Sequence, residues 1–522
     1  MKNFARFILA IIISVNCYNP GFAQDSTKSL AFKDDHPYIK APYFYRPDFG
    51  YQIWQQFKLT REANSGDVLA QHELGLRYLL GEGVAADTAK AVYWIKKAAD
   101  QNLASAKYNF GILLINGWGV DWNPFSAFKY FMEAARAGMI QAQYIVGILY
   151  TDNLIVKRDF NYAFYWVRKS SDEGYKPAKE VINKLKPEIS LSVVDSITAL
   201  EDKKPKNDII PIEEDDNANL SSPVGLVFID FKSGGDTITA ISDSMLIRDL
   251  RYADVDSLNT KFKLDSLKSL VELTKPEILD KLIEFANNGC PEAQTILGKM
   301  YESGLAFKRN QIISASYYFQ ALRNDSQKAS YLLWKMSKSK EFIKSVQALA
   351  QQNNAEAMFV WYGLNSINFD NQIAMNDALN LLQKASNQNY IPAIIELGLD
   401  YYTGKYSVED QQKGLALWNK AENLGSIEAK VRILSSSIHD QTDPENLKYI
   451  FKELKDAAEN GSVLAQVSLA YCYENGIGTS KSKSNSVEYY RNAAQRGNQY
   501  AYRELERLYD EIRPDDPEFR LN

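Results

Sequence analysis

The sequence is poor in the residues that build metal and disulfide sites. Its 522 residues include only three histidines and three cysteines. His36, His72 and His439 lie far apart along the chain, so we expect no histidine-based metal centre and no bound metal. Cys290 and Cys472 are also distant from each other, and such a pair does not form a disulfide framework. We therefore interpret both thiols as small buried side chains.

A strong excess of one charge is missing as well. The formal net charge is −5, which is small for a chain of this length. A basic patch or stripe is the usual sign of a nucleic-acid-binding protein. The composition therefore does not favour nucleic acid as a partner.

Catalytic motifs are absent too. The chain contains no G-x-S-x-G, H-E-x-x-H or C-x-x-C pattern. Ser337 and Ser480 each begin an S-x-x-K match, but neither is followed by the K-T-G that completes the penicillin-recognising set. We therefore predict that the protein is not an enzyme and uses no cofactor.

Long hydrophobic runs are confined to the start of the chain. Lys2 and Arg6 flank the beginning of a short apolar core, Phe7 to Val15, which is too short to span a bilayer. Small residues at Gly21 and Ala23 then predict signal cleavage between Ala23 and Gln24. We expect a periplasmic or secreted protein.

A lipoprotein signal is the rival interpretation of the same segment. Cys17 follows the apolar core, but Asn16 directly before it fits a lipidation site poorly. Lipid anchoring through Cys17 is therefore not favoured. No later apolar run is long enough for a transmembrane segment.

The chain is rich, by contrast, in one internal repeat. Short similar sequences recur at intervals of 36 residues, each beginning with alanine, such as AQHELG and AKYNFG. One series contains Ala70, Ala106, Ala142 and Ala178, a second contains Ala293 and Ala329, and a third contains Ala357, Ala393, Ala429, Ala465 and Ala501. A register kept over most of the chain predicts a solenoid of stacked helix pairs.

Each column of the repeat has a physical role. Position +17, counted from the leading alanine, holds residue types that cap helix N-termini. Position +28 holds small residues that let two helices approach closely. Position +32 holds residues that tolerate the left-handed conformation at the end of a helix. The structural positions predicted in the first two units are Ala70, Gly81, Gly83, Asp87, Trp94, Ala98, Ala106, Asn123, Ala134 and Gly138.

The Gly81-x-Gly83 step superficially suggests a phosphate-binding loop. Such a loop also needs a preceding strand and usually a Lys-Ser or Lys-Thr pair, and neither accompanies these glycines. The same step recurs at Gly117-x-Gly119 and Gly476-x-Gly478. We therefore interpret it as the turn between the two helices of a repeat.

These residues resemble the Sel1-like repeat family, a relative of the tetratricopeptide repeat. The first unit shows the family pattern at Ala70, Leu74, Gly75, Tyr78, Gly81, Gly83, Val84, Asp87, Lys90, Ala91, Trp94, Lys97, Ala98 and Ala99. The resemblance covers roughly 350 residues and implies an all-α fold, an α/α solenoid that holds other proteins. The third unit departs from the pattern, with Asn153 and Ile155 in place of the loop glycines. The unit at Ala329 has only 28 residues and lacks the expected cap.

The repeats are interrupted in the middle of the chain. A charged, proline-containing stretch from Glu201 to Asp216 is typical of a solvated linker. Val224–Phe231 and Thr237–Ile241, joined by KSGGD, predict a small β-hairpin. This hairpin could pack on the solenoid, pair with a partner strand, or belong to a catalytic insert. Nearby carboxylates are interpreted as turn and cap residues rather than as a calcium site, namely Asp230, Asp236 and Asp243.

The pattern divides the chain into six segments. They are a signal peptide (1–23), an N-terminal extension (24–50), a first repeat block (51–186), an acidic linker and insert (187–275), a second repeat block (276–512) and a C-terminal tail (513–522). The first block ends on half a repeat, Ala178–Lys186, and the second block begins with half a repeat, Pro276–Asn288. Pairing of these halves would join the blocks into one superhelix. Two solenoids on a tether are the rival arrangement.

Two functions fit this organisation. The first is a non-catalytic scaffold or adaptor of the bacterial cell envelope, which binds protein partners on an extended solenoid surface. The second is an enzyme or enzyme-activating module with its activity in residues 187–275. The absence of a catalytic motif favours the scaffold, whereas the partner and its binding residues are not encoded in a recognisable pattern.

Overall fold

The computed structural model describes residues 56–186, 189–203, 276–370, 372–440 and 444–521, and every regular element in these ranges is a helix. Nine α-helices precede the gap after residue 203: α1 (Gln56–Ser65), α2 (Val68–Leu80), α3 (Thr88–Asp100), α4 (Ala104–Asn116), α5 (Pro124–Arg136), α6 (Ile140–Leu149), α7 (Phe160–Asp172), α8 (Lys176–Leu185) and α9 (Leu191–Glu201).

Fourteen α-helices follow that gap among the described residues: α10 (Pro276–Asn287), α11 (Pro291–Ser303), α12 (Gln311–Arg323), α13 (Gln327–Ser337), α14 (Lys340–Gln351), α15 (Ala355–Ser366), α16 (Met375–Asn387), α17 (Ile391–Thr403), α18 (Gln411–Asn423), α19 (Ile427–Asp440), α20 (Leu447–Glu459), α21 (Val463–Asn475), α22 (Lys483–Gln495) and α23 (Gln499–Asp510). Short 3-10 turns occupy Pro444–Asn446 and Pro517–Phe519.

Most helices that follow one another in the described ranges pack against one another, as in α2 with α3, α4 with α5 and α11 with α12, which is what a solenoid of helix pairs requires. A glycine in the first helix of several repeats lets the second helix approach closely. At Gly147, for example, an added Cβ would lie 2.6 Å from Cγ2 of Val167 and 2.9 Å from the carbonyl oxygen of Ala163. The first helix of a pair is often buried on every side: in α4, all residues from Ala104 to Ile115 are buried.

The described part of the chain divides into two compact units. The first unit contains α1–α9 together with residues 483–488 and 505–521. The second unit contains residues 276–482, except for the gaps given above, and residues 489–504. The second repeat block therefore contributes its last residues to the first unit.

Two local features differ from the sequence-based expectation. The unit at Ala329 does have a cap, because the Ser339 hydroxyl accepts a hydrogen bond from the Phe342 backbone N–H at the start of α14. The sequence pattern misses this cap because the first helix ends early, at Ser337, and the loop is shortened. The chain after the first block also contains α9, which the repeat pattern does not predict.

Helix α9 runs parallel to α7, against which it packs. At one end the Ser190 backbone N–H donates to Asn161 at 2.8 Å. At the other end Asp202 lies 3.8 Å from the Lys169 ammonium. Val194 and Ile197 provide its buried face, in agreement with helical spacing.

Several expectations fall outside the described residues. These are the signal peptide with Cys17 and the Ala23–Gln24 cleavage site, the N-terminal extension to residue 50, most of the linker, and the hairpin at 224–241. Among the described helices, none is both long and apolar enough to cross a bilayer.

Candidate functional site

The repeat positions singled out in the sequence are turn, cap and packing residues. Gly81, Gly83 and Gly138 have positive φ angles of 73°, 72° and 95°. The Asp87 carboxylate accepts a hydrogen bond from the Lys90 N–H at 3.0 Å, and the Asn123 side chain accepts one from the Ser126 N–H at 2.9 Å. The packing residues of the set are all buried: Ala70, Trp94, Ala98, Ala106 and Ala134.

A second column of caps, which the sequence analysis did not single out, lies three residues before the leading alanine. Its side chains accept a hydrogen bond from the backbone N–H of that alanine. The pairs are Asp67 with Ala70, Ser326 with Ala329, Asn354 with Ala357, Ser426 with Ala429, Ser462 with Ala465, and Asn498 with Ala501. The signal was present in the sequence but is interrupted by Leu103, Met139 and Tyr175 in other repeats.

Several buried polar side chains near the start of the first unit are paired with one another. Glu73 and Arg77 form an ion pair of 2.9 Å within α2, and both are largely buried. The His72 ring lies 2.7 Å from the Asn109 amide nitrogen and 3.4 Å from the Ser105 hydroxyl. These contacts give His72 a structural role in joining α2 to α4.

A buried cluster of four charges occupies the second unit, and we call it the Arg323 cluster. It consists of Arg323, Glu396, Glu428 and Arg432, which come from α12, α17 and α19. Arg323 donates to Glu428 at 2.9 and 3.0 Å and to Glu396 at 3.2 Å. Arg432 donates to the same Glu428 at 3.0 Å. The two positive and two negative charges balance within the cluster.

The charges of the cluster shift the pKa of Glu428. Burial alone raises the pKa of a carboxyl group, since it penalises the ionised form. The neighbouring guanidinium groups of Arg323 and Arg432 outweigh that effect and lower the pKa of Glu428 to about 2. Glu428 therefore remains ionised at any physiological pH and fixes α12 and α19 together, although 105 residues separate it from Arg323.

The first and last repeats of the second unit also meet. Arg496 donates to Glu292 at 2.9 Å through Nε, and to Gln466 at 3.2 Å through Nη1. Asn498 donates to Asp325 at 2.9 Å. The first and last repeats of the second unit are thus joined by polar side chains of both repeats.

The two cysteines of the described ranges lie in buried surroundings. Cys290 and Cys472 are buried and are not joined in a disulfide, and burial raises the pKa of Cys472 to about 12. Within the described ranges no group of three or more His, Cys, Asp or Glu residues is arranged to hold a metal ion. The chemistry that the described side chains offer is therefore hydrogen bonding and ion pairing.

The outer surface of the second unit carries a mixed apolar and charged area, which we call the Tyr449 surface. It comprises the exposed side chains of Leu424, Ile427 and Tyr449 and the ion pair between Lys430 and Glu453. Tyr449 is 53 % exposed, and Leu424 and Ile427 are 42 % and 37 % exposed. Hydrogen bonding to Glu453, together with the nearby Tyr449 and Glu422, raises the pKa of Lys430.

Comparison with known proteins identifies the repeat. The Sel1 repeat family model matches at residues 68–103, 104–139, 140–175, 291–326, 391–426 and 463–498. A comparison with curated proteins gives no match.

Solved structures that are similar to the chain include the following two. One is a protective antigen present in uropathogenic Escherichia coli strains that displays an SLR fold, with 19 % identity over 88 % of this chain and 91 % of that chain, and a TM-score of 0.30. The other is a Sel1 repeat protein from Oxalobacter formigenes, with 34 % identity over 24 % of this chain and 96 % of that chain, and a TM-score of 0.24.

Proposed function

The chain belongs to the Sel1 repeat family, and on this premise we propose that it is a non-catalytic scaffold or adaptor of the bacterial cell envelope. Sel1-repeat proteins generally mediate protein–protein interactions. The partner in this proposal is a protein rather than a small substrate or a nucleic acid. A solenoid suits this role because stacked helix pairs present a long surface on a rigid frame.

The Tyr449 surface is the observation that carries the proposal most directly. Within each unit many buried polar side chains pair with neighbours of the same unit, whereas Leu424, Ile427 and Tyr449 expose apolar area to solvent. An apolar centre beside a charged pair suits a partner surface that is itself apolar and rimmed by charged side chains. We therefore place a partner contact on α18–α20.

The envelope location rests on the first 23 residues of the sequence. A basic start, a short apolar core and small residues before Gln24 favour export. Expression in the native host should give a mature protein that begins at Gln24 in the periplasm or medium. Sequencing of the mature N-terminus checks this, and cytoplasmic protein that retains Met1 would contradict it.

Affinity capture with matched variants tests the scaffold function. Replacing both Leu424 and Tyr449 with serine removes most of the exposed apolar area of the Tyr449 surface without touching a buried residue. A distinct set of co-purified proteins should be lost with this variant. The same set should remain with Val408→Ser, since Val408 is an exposed apolar residue elsewhere on the second unit. Identical capture by both variants would contradict the assignment of this surface.

A further inference from the structure

The last residues of the chain dock on the first unit through one buried side chain. Of the residues from Pro514 to Leu521, Phe519 alone is buried, at 0 % exposure. Its neighbours Asp515, Pro517, Glu518 and Arg520 are exposed. Short linear peptides often bind a folded surface through one buried aromatic side chain between exposed residues. The C-terminal segment has this pattern, whereas the repeat helices bury many residues on more than one side.

The surface that receives Phe519 comes from helix α5. Phe125 and Phe128 contact the Phe519 ring edge to face, with centroid distances of 5.1 and 6.0 Å. Lys129 lies over the same ring at 5.3 Å and pairs with Asp516 at 2.8 Å. Phe125, Phe128 and Lys129 have the i, i+3, i+4 spacing that puts them on one helix face. We call this face, with the loop described next, the Phe519 groove.

Arg513 links the loop of the third repeat to this helix face. This is the loop in which Asn153 and Ile155 replace the expected glycines. Its carbonyl oxygens at Leu154 and Ile155 accept hydrogen bonds from Arg513 at 2.7 and 3.1 Å. Arg513 also donates to the Phe519 carbonyl at 2.9 Å and lies over the Phe125 ring. The departure from the repeat pattern thus coincides with a loop that presents its backbone to the C-terminal segment.

The bound segment has a compact recognition element. The Asp516 carboxylate accepts a hydrogen bond from the Glu518 N–H at 3.2 Å, so it caps the 3-10 turn Pro517–Phe519. The turn brings Asp516 and Phe519 to the same side, where Lys129 meets one and the aromatic pair meets the other. The groove is therefore complementary to an Asp-Pro-x-Phe turn that is preceded by an arginine three residues before the aspartate.

We propose that the Phe519 groove is a peptide-binding site for Asp-Pro-x-Phe segments and that the chain's own C-terminal segment occupies it in cis. The cis segment competes with any partner segment of the same chemistry, because its tether gives it a high effective concentration. Access to the groove is thereby regulated by release of Phe519. The proposal deepens the scaffold function, but its test uses the chain and a peptide alone, so its failure would leave the Tyr449 surface untouched.

The test measures binding of a labelled peptide to the full chain. The probe is a fluorescein-labelled peptide with the sequence of residues 513–522, and the readout is fluorescence anisotropy. The Phe519→Ala chain, whose groove has lost its anchor, should bind the peptide at least tenfold more tightly than the unaltered chain. A peptide with Phe519 replaced by alanine should not bind measurably.

Lysine variants identify the groove as the binding site. In the Phe519→Ala background, Lys129→Glu should weaken peptide binding at least tenfold, and Lys129→Arg should retain it. Lys96→Glu is the matched control, since Lys96 is equally exposed and pairs with Asp100 on α3. Weakening by the Lys96 change to the same extent as by the Lys129 change would overturn the assignment to the groove.

A milder variant keeps the proposal testable if the alanine variant does not fold. Phe519→Leu retains most of the apolar volume, so it should fold with an unchanged circular dichroism spectrum and bind the peptide with intermediate affinity. Absence of saturable binding by the folded variants would overturn the proposal. A dimer of the unaltered chain that Phe519→Ala dissociates would overturn the cis assignment, because it would show exchange of segments between two copies.

Discussion

Single residues in the repeat turns show how strongly backbone conformation selects the side chain. Ala306 has φ 58° at the position where Gly83 has φ 72° in the first repeat. The left-handed region costs a residue with a Cβ about 1–2 kcal/mol. Ala306 is exposed, so its side chain adds little packing energy and the backbone strain determines its effect on stability.

The Ala306 strain leads to a first prediction. Ala306→Gly should stabilise the protein by about 0.5–1 kcal/mol, since relief of the left-handed strain exceeds the entropy that glycine adds to the unfolded chain. Gly83→Ala is the matched control and should destabilise the protein by a similar amount, because its φ of 72° strains a residue with a Cβ. No clash adds to this strain, since a Cβ there would meet nothing within 4 Å. Chemical denaturation of the two variants checks both values. A loss of stability in Ala306→Gly would contradict the strain argument.

The helix-contact glycines give a second prediction. Gly147→Ala should destabilise the protein by about 1–3 kcal/mol, because the new Cβ would overlap Val167 and the carbonyl oxygen of Ala163. The double variant with Val167→Ala removes one of the two overlaps but not the backbone one. The fall in melting temperature of the double variant is therefore expected to be smaller than the sum of the falls caused by Gly147→Ala and Val167→Ala alone. Full additivity would mean that the two positions do not touch.

At the scale of elements, the Arg323 cluster joins helices that are distant in the sequence. Glu428→Gln should destabilise the protein at neutral pH by about 3–5 kcal/mol, because it leaves the buried Arg323 and Arg432 without their shared carboxylate. Glu453→Gln is the control, since that carboxylate is in a more exposed pair with Lys430 and should cost at most about 1 kcal/mol. Urea unfolding at pH 7 distinguishes the two, and equal losses would contradict the role of burial.

The same carboxylate predicts how stability changes with pH. The folded-state pKa of Glu428 is about 2, below its ordinary value of 4.5. Its contribution to stability is therefore complete above the unfolded-state pKa and is lost as pH falls from about 5 towards 2. The difference in unfolding free energy between the unaltered chain and Glu428→Gln should shrink over this range. A difference that stays constant from pH 6 to pH 3 would contradict the lowered pKa.

The sequence predicts the elements that depend on local chemistry and misses those that depend on curvature. Asp87 and Asn123 were identifiable as N-caps because a cap acts within one helical turn. The contact of Arg323 with Glu428 could not be predicted from the sequence. It depends on the angle between successive repeats, and a 36-residue period does not specify that angle. Helix α9 was missed because it follows no repeat column. Phe519 was assigned to a tail because its pocket is formed by Phe125 and Phe128, almost 400 residues earlier in the chain.

At the scale of the whole molecule, we propose a repeat protein whose buried polar residues hold the repeats together and whose exposed surfaces contact other proteins. The repeats hold the Tyr449 surface in the second unit and the Phe519 groove in the first. The Tyr449 surface lies on helices, and the aromatic face of the Phe519 groove lies on α5, so a partner would meet side chains that are already fixed in position. Pre-formed surfaces of this kind lose less entropy on binding than mobile ones.

Site-specific photo-crosslinking in the native host tests the scaffold function most directly. A photoreactive phenylalanine analogue at Tyr449 should form discrete adducts with one or a few proteins of the cell envelope. The same analogue at Lys344, an exposed position on α14, serves as the control and should not give these adducts. Adducts at Tyr449 that Leu424→Ser abolishes are the predicted result. Identical adduct patterns at both positions, or none at Tyr449, would contradict a partner-binding scaffold that uses this surface.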